Sequence, residues 1–245
     1  TDFVENHWSE RHFVGDDEFK AYTSLNKLVF VSEYAKKQFA KVFDLPHTVK
    51  QYVCANVINV DEIKTKSLEP INDIIKTKFT ICSVGRLEEV KGYDMVINAA
   101  KVLKERNVDV DFWILGTGSQ EKQLKEQLRQ SQCEDMVHFL GYKDNPYPYM
   151  KSADVYLSSS YAEGLPLVLC EAQCLGKPII ATKTIGALQL LKNGTNSRLI
   201  DISAIAIADA VEEWMTNNNC VSTDDITFRE YHTNEIMELV YRDIL

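Results

Sequence analysis

Two carboxylates, Glu163 and Glu171, bound the stretch Glu163-Gly164-Leu165-Pro166-Leu167-Val168-Leu169-Cys170-Glu171. Ser158-Ser159-Ser160-Tyr161-Ala162 precedes it and closes an apolar run, Val155-Tyr156-Leu157. Gly176-Lys177-Pro178 follows, then Ile179-Ile180-Ala181. That order predicts a strand, a loop, a helix and another strand. The start of such a helix presents unpaired backbone N–H groups and a positive dipole end, which suit a phosphate. Glu163 then lies on the loop beside the anion. Glu171 lies about two turns into the helix, placed to accept hydrogen bonds from hydroxyls. One acid near a phosphate and another near sugar hydroxyls is a way to hold a nucleotide-sugar. Solvated carboxylates would account for the spacing alone, but not for the Gly-Leu-Pro, the helix stop and the strand that follows.

Two cations have a comparable setting. Gly85-Arg86-Leu87 and Lys91-Gly92 follow the apolar run Phe79 to Val84. Gly85 lets the backbone turn, and the planar fork of Arg86 and the point charge of Lys91 can both meet a diphosphate. Ligands of open α/β sheets bind outside the carboxyl ends of the strands, where these residues fall. Gly116-Thr117-Gly118 is half of a dinucleotide fingerprint, lacking the third glycine and the later acid, and reads as a tight strand-to-helix turn. Tyr142, after Gly141, can stack on a base or stand exposed on its loop. His7, His12, His47, His138 and His232 form no cluster in sequence, so no metal site is expected.

These residues need a scaffold. From Phe79 onward short apolar runs alternate with helical patterns, the signature of a parallel sheet wrapped by helices. Strands are expected at Phe79–Val84, Val110–Leu115, Val137–Leu140, Val155–Ser158 and Ile179–Ala181, with a sixth over Arg198-Leu199-Ile200. Helices are expected over Tyr93–Glu105, up to about Gln130, over a proline-broken Asp144–Lys151, and over Ala204–Asn217 and Asp224–Leu245. Earlier, Lys27–Val31 reads as a strand, Ser32 as an N-cap, Glu33–Val42 as a helix and Val49–Ile58 as a strand. Asp61–Lys78 reads as a charged linker, and Asn193-Gly194-Thr195 as a turn.

Glu163-Gly164-Leu165-Pro166, Glu171-Ala172 and Gly176-Lys177-Pro178, with Gly85-Arg86-Leu87 and Lys91-Gly92, resemble the signature of the family 4 retaining glycosyltransferases. The resemblance implies one half of a GT-B architecture, a doubly wound, Rossmann-like α/β domain. It implies that residues 56–245 form the C-terminal donor-binding domain. Residues 1–55 would be a remnant of the N-terminal, acceptor-side domain, since Lys27–Glu33 is similar to the family's strand entering a Val-Ser helix start and Asn56-Val57-Ile58-Asn59 to its entry into the second domain. It also implies roles. Arg86, Lys91 and Gly85 would hold the donor diphosphate, with Gly164 and the N–H groups of Leu167 and Val168. Glu171 would hold the ribose, the loop at Tyr142 the base, Glu163 the reacting sugar, and His7 the sugar or acceptor.

The implied reaction is retaining transfer of a sugar, from a UDP-sugar by preference, to a polysaccharide or glycolipid acceptor. No cofactor or metal is implied. The rest of the first domain, with the acceptor site and any peripheral membrane contact, would lie outside this sequence, leaving the fragment inactive alone. Leu188-Gln189 stands where the family often has Pro-Glu, and Ser197 where it has Gly, which bears on donor identity. A non-catalytic nucleotide-sugar module and a GT-B sugar-nucleotide epimerase are the alternatives.

Bulk composition agrees with an ordinary globular chain: 245 residues, 45% apolar and 26% charged. A net charge of −9, with no basic block, argues against nucleic acid and anionic membrane as partners. No apolar run is long enough to span a bilayer and no signal peptide is legible. Six cysteines without a CxxC pair point to reduced thiols and the cytoplasm.

Overall fold

A computed structural model describes residues 16–31, 33–54, 58–191 and 196–216. His7, Ser32, Asn56-Val57, Asn193-Gly194-Thr195 and the helix expected over 224–245 lie outside them. The described residues form two compact units, 16–58 and 59–216.

The smaller unit contains α1 (Asp16–Thr23), β1 (Lys27–Phe30), α2 (Glu33–Val42) and β2 (Lys50–Val53). β1 and β2 pair in parallel, Lys27 opposite Lys50. Helix α2 buries Ala35 and Phe39, four positions apart on one face. Phe30, Phe43, Leu45 and Val49 complete the core. Of the strand expected over Val49–Ile58, Lys50–Val53 is strand, and 55–57 lie outside the described residues. The pairing ends with Cys54 N–H donating to Phe30 C=O at 2.8 Å.

In the larger unit the expected linker opens with a helix, α3 (Val60–Lys66). The Asn59 side chain caps it by accepting from Glu62 N–H at 3.1 Å. Ile63 is its one buried side chain, so too little apolar periodicity showed in the sequence. Then come β3 (Phe79–Val84), a 3₁₀ turn (Glu89–Lys91), α4 (Tyr93–Glu105), β4 (Val110–Leu115), α5 (Glu121–Ser131) and β5 (Val137–Gly141). The second half has α6 (Tyr147–Ser152), β6 (Val155–Ser158), α7 (Leu167–Cys174), β7 (Ile179–Thr182), α8 (Ile185–Leu190), β8 (Ser197–Ile200) and α9 (Ala204–Thr216). Each expected strand of this unit is present; α8 was not expected.

The six strands are parallel in the order β5-β4-β3-β6-β7-β8. Helices cover both faces, so the strands are buried on both. Along β3 and β6, Ile81, Val155 and Leu157 enter one core with Val96, Leu103, Leu128 and Val211. Cys82 and Tyr156 enter the other with Trp113, Met150 and Leu169. This is the period-two alternation of a pleated strand. The α/β doubly wound parallel sheet is as expected from the sequence.

The chain order runs outward one way from β3 and the other way from β6. A crevice at the carboxyl ends of such a pair is the usual ligand site of this architecture. Register between β3 and β6 covers only Ile81–Val155 and Cys82–Tyr156. One residue on, the Ser83 hydroxyl donates to Leu157 C=O at 2.8 Å in place of a ladder bond.

Candidate functional site

Above that switch point lies a small polar cleft lined by Val84, Lys91, Tyr93, Tyr156, Leu157, Ser158, Ser159, Ser160, Glu163 and Val168. Lys91 comes from the turn after β3 and Glu163 from the loop after β6. Their side chains form an ion pair through Glu163 Oε1, 21% and 15% exposed respectively. The Ser160 hydroxyl donates to the same oxygen at 2.9 Å. Among the described residues no donor reaches Oε2, which leaves that oxygen able to accept from a ligand.

Backbone contacts fix the two segments together. The Ser159 hydroxyl donates to Lys91 C=O at 2.8 Å, and Tyr161 N–H donates to Val90 C=O at 2.8 Å. Gly92 adopts φ +65°, and a Cβ there would stand 2.2 Å from the carbonyl oxygen of Ser159. Only glycine serves both demands.

Gly85 follows β3 and lies beside the Lys91 side chain, whose Cε would be 3.6 Å from a Cβ at that position. Arg86 is exposed, and no described residue hydrogen-bonds or ion-pairs with its guanidinium. The buried Leu87 anchors this turn. Gly116 and Gly118 earn their places here: Cβ atoms on them would meet Gly85 O at 1.9 Å and Leu87 O at 2.4 Å. The half fingerprint is thus a backbone cradle for the Arg86 turn. Glu88, beside it, has its carboxyl held below the usual range by the hydroxyl and N–H of Ser119, with a contribution from Arg86.

Helix α7 starts at Leu167 after Pro166. Among the described residues no acceptor engages the N–H groups of Leu167 and Val168, as expected for a first turn. Leu167 is 40% exposed, and Val168 lines the cleft. Gly164 is buried. Its carbonyl lies 2.7 Å from where a Cβ on Gly186 would stand, and Gly186 N–H donates to Glu163 C=O at 2.8 Å. Helix α8 therefore braces the Glu163 loop, and Gly186 permits the close approach.

Glu171 sits just over one turn into α7, not two, because the helix begins after Pro166 and not at Gly164. It does not line the cleft. Its carboxyl is half-buried, accepts from the Tyr147 hydroxyl at 3.2 Å, and is pushed up by desolvation. Burial and that carboxylate push the Tyr147 phenol up to about 12. Tyr142 is 69% exposed after Gly141, at the end of edge strand β5, and is not part of the cleft.

Of the residues expected from sequence, Lys91, Glu163 and Val168 converge, with Gly85, Gly164 and Leu167 adjoining. Arg86, Glu171 and Tyr142 stand apart from the cleft itself. Ser160, Tyr93 and Tyr147 were not foreseen as site residues. The run of three serines after an apolar strand was the available signal for Ser160; nothing local marked Tyr147. Among the described residues no group of three or more His, Cys, Asp or Glu is placed to hold a metal ion. No described helix is long and apolar enough to cross a membrane.

Residues 64–228 match the family described as Glycosyl transferases group 1. An uncharacterized glycosyltransferase of Haemophilus influenzae is 31% identical over 185 residues, covering 75% of this chain and 49% of the relative. The amylovoran biosynthesis glycosyltransferase AmsK of Erwinia amylovora is 30% identical over 137 residues, 53% of this chain and 34% of the relative. The chain thus spans half or less of these relatives' length. Among solved structures, Anabaena Alr3699/HepE in complex with UDP and glucose has a TM-score of 0.76 at 18% identity, covering 96% of this chain and 68% of that one. That likeness extends the fold to glycosyltransferases of GT-B architecture. With two thirds of its length matched, this chain belongs to the Glycosyl transferases group 1 family.

Proposed function

We propose that this chain is the donor-binding part of a retaining, family 4 hexosyltransferase that moves a sugar from a UDP-sugar to a polysaccharide or glycolipid acceptor. One observation carries the proposal: Lys91 and Glu163 meet at the switch point of the sheet, beside the open N-terminus of α7. The diphosphate would lie against Lys91, Arg86 and the N–H groups of Leu167 and Val168, next to Gly85 and Gly164. The two cations would neutralise charge growing on the leaving diphosphate, so no metal is required. Glu163 Oε2 would accept from the transferred sugar. Glu171 would hold the ribose hydroxyls, and the Tyr142 loop the base.

Residues 56–245 form the donor domain in this proposal, and 1–55 belong to the acceptor-side domain, His7 contacting sugar or acceptor. The acceptor site and any peripheral membrane contact belong to chain beyond this sequence, the whole acts in the cytoplasm, and the fragment alone is inactive. The part of AmsK in amylovoran biosynthesis supports a polysaccharide acceptor. Calorimetry with UDP, GDP and ADP tests the proposal. Binding of UDP in preference to the others is expected; no heat with any of the three would overturn it.

A further inference from the structure

Tyr93 is the first residue of α4, and it is 4% exposed. Its ring runs back beneath Gly85, so that a Cβ on that glycine would stand 2.9 Å from the phenolic oxygen. The Lys91 side chain passes the same point, its Cε and Cδ at 3.6 and 3.7 Å from that Cβ position. Tyr93 lines the cleft with Lys91 and Glu163. Among the described residues no partner accepts from its hydroxyl. A neighbouring phenol is different: Tyr156 Oη donates to Val84 C=O, although at a long 3.4 Å.

Held beside Gly85 and Lys91 on a residue that lines the cleft, the hydroxyl is left able to donate to a group bound there. Burial, Cys82 and Glu163 all push the Tyr93 phenol upward, so it carries its proton at neutral pH. It can therefore donate and does not compete with Lys91 as an anion. A side chain at position 85 would press on this hydroxyl, since even a Cβ there stands 2.9 Å from it.

We propose that the Tyr93 hydroxyl is a direct binding group for the nucleoside diphosphate, donating a hydrogen bond to the terminal phosphate beside Lys91. This rests on the nucleotide reading of the site. The terminal phosphate is assigned because the same cleft holds Glu163, the acid proposed to face the transferred sugar, which that phosphate carries.

The test is calorimetry of the wild-type chain and Tyr93→Phe with UDP and UMP, together with thermal melts without ligand. The variant should bind UDP roughly tenfold or more weakly, the size of one lost hydrogen bond to a charged group. Its UMP affinity should change less than about twofold, since the terminal phosphate is absent. Its ligand-free melting temperature should stay level or rise, because no hydrogen bond within the protein is lost. Equal UDP affinity in both proteins, or equal losses for UDP and UMP, would overturn the assignment while leaving the nucleotide site intact. No binding of UDP, GDP or ADP by the wild-type chain would overturn the nucleotide reading, and this inference with it.

Discussion

Replacing Glu171 with Gln is expected to move stability and nucleotide affinity in opposite directions. In the ligand-free protein the carboxylate is half-buried, with the Tyr147 hydroxyl at 3.2 Å as its one hydrogen-bond donor among the described residues. Desolvation raises its pKa, so the charged form is better solvated in the unfolded chain than in the folded one. A group with a raised folded pKa favours the folded state most below its unfolded pKa and loses that advantage as pH rises through the folded value. Glutamine keeps the shape and the Tyr147 contact but carries no charge. The stability gap, variant above wild type, should therefore be near zero at about pH 4, where an unfolded glutamate is half protonated, and open toward neutrality. Ribose hydroxyls donating to a carboxylate are worth about 1.5–3 kcal/mol each, against about 0.5–1.5 for a neutral acceptor. The amide should thus cost roughly tenfold or more in UDP affinity. Denaturant melts from pH 4 to pH 8, with calorimetry at pH 7, give both quantities. A variant that is less stable than wild type at neutral pH, and that binds UDP unchanged, would refute both the desolvation argument and the ribose assignment.

Arg86→Ala and Lys91→Ala should each weaken UDP about tenfold or more while changing uridine little, since both cations are assigned to phosphate; equal losses for nucleoside and nucleotide in competition binding would count against that. Gly92→Ala should destabilise by more than about 1 kcal/mol, because φ +65° and a carbonyl oxygen 2.2 Å from the new Cβ both oppose it; urea melts with an unchanged slope are the check. Asp73 accepts from Tyr149 Oη at 2.5 Å and ion-pairs with Lys143, joining the 66–76 segment to the segment after β5. The Lys143 and Tyr149 hydrogen bonds hold its carboxyl below the usual range. The lowered pKa gives stability present above the unfolded value and lost as pH falls through the folded one. Asp73→Asn should therefore melt below wild type at pH 7, with the difference vanishing in acid.

The sequence by itself determined the layered fold and the residues at its strand ends. Strands buried on both faces read as largely apolar runs, so Phe79–Val84, Val110–Leu115 and Val155–Ser158 could be read directly despite polar residues such as Thr80 and Asp111. The residues after them, Arg86, Lys91 and Glu163, were therefore placed at carboxyl strand ends before any geometry was known. Helices with weak apolar faces were hidden: α3 shows one buried isoleucine amid charges, and α8 is too short to show a period. Only the tertiary structure decided which strand ends adjoin. The order β5-β4-β3-β6-β7-β8 sets the loop after β3 against the loop after β6, although Lys91 and Glu163 are 72 positions apart in the chain. It also decided that Glu171 pairs with Tyr147, that Gly116 and Gly118 serve the Arg86 turn, and that Tyr93 lines the cleft. The physical reason is that pattern along a chain reports burial, a local property. Convergence of polar groups depends on strand order and close backbone packing, which only the assembled sheet fixes.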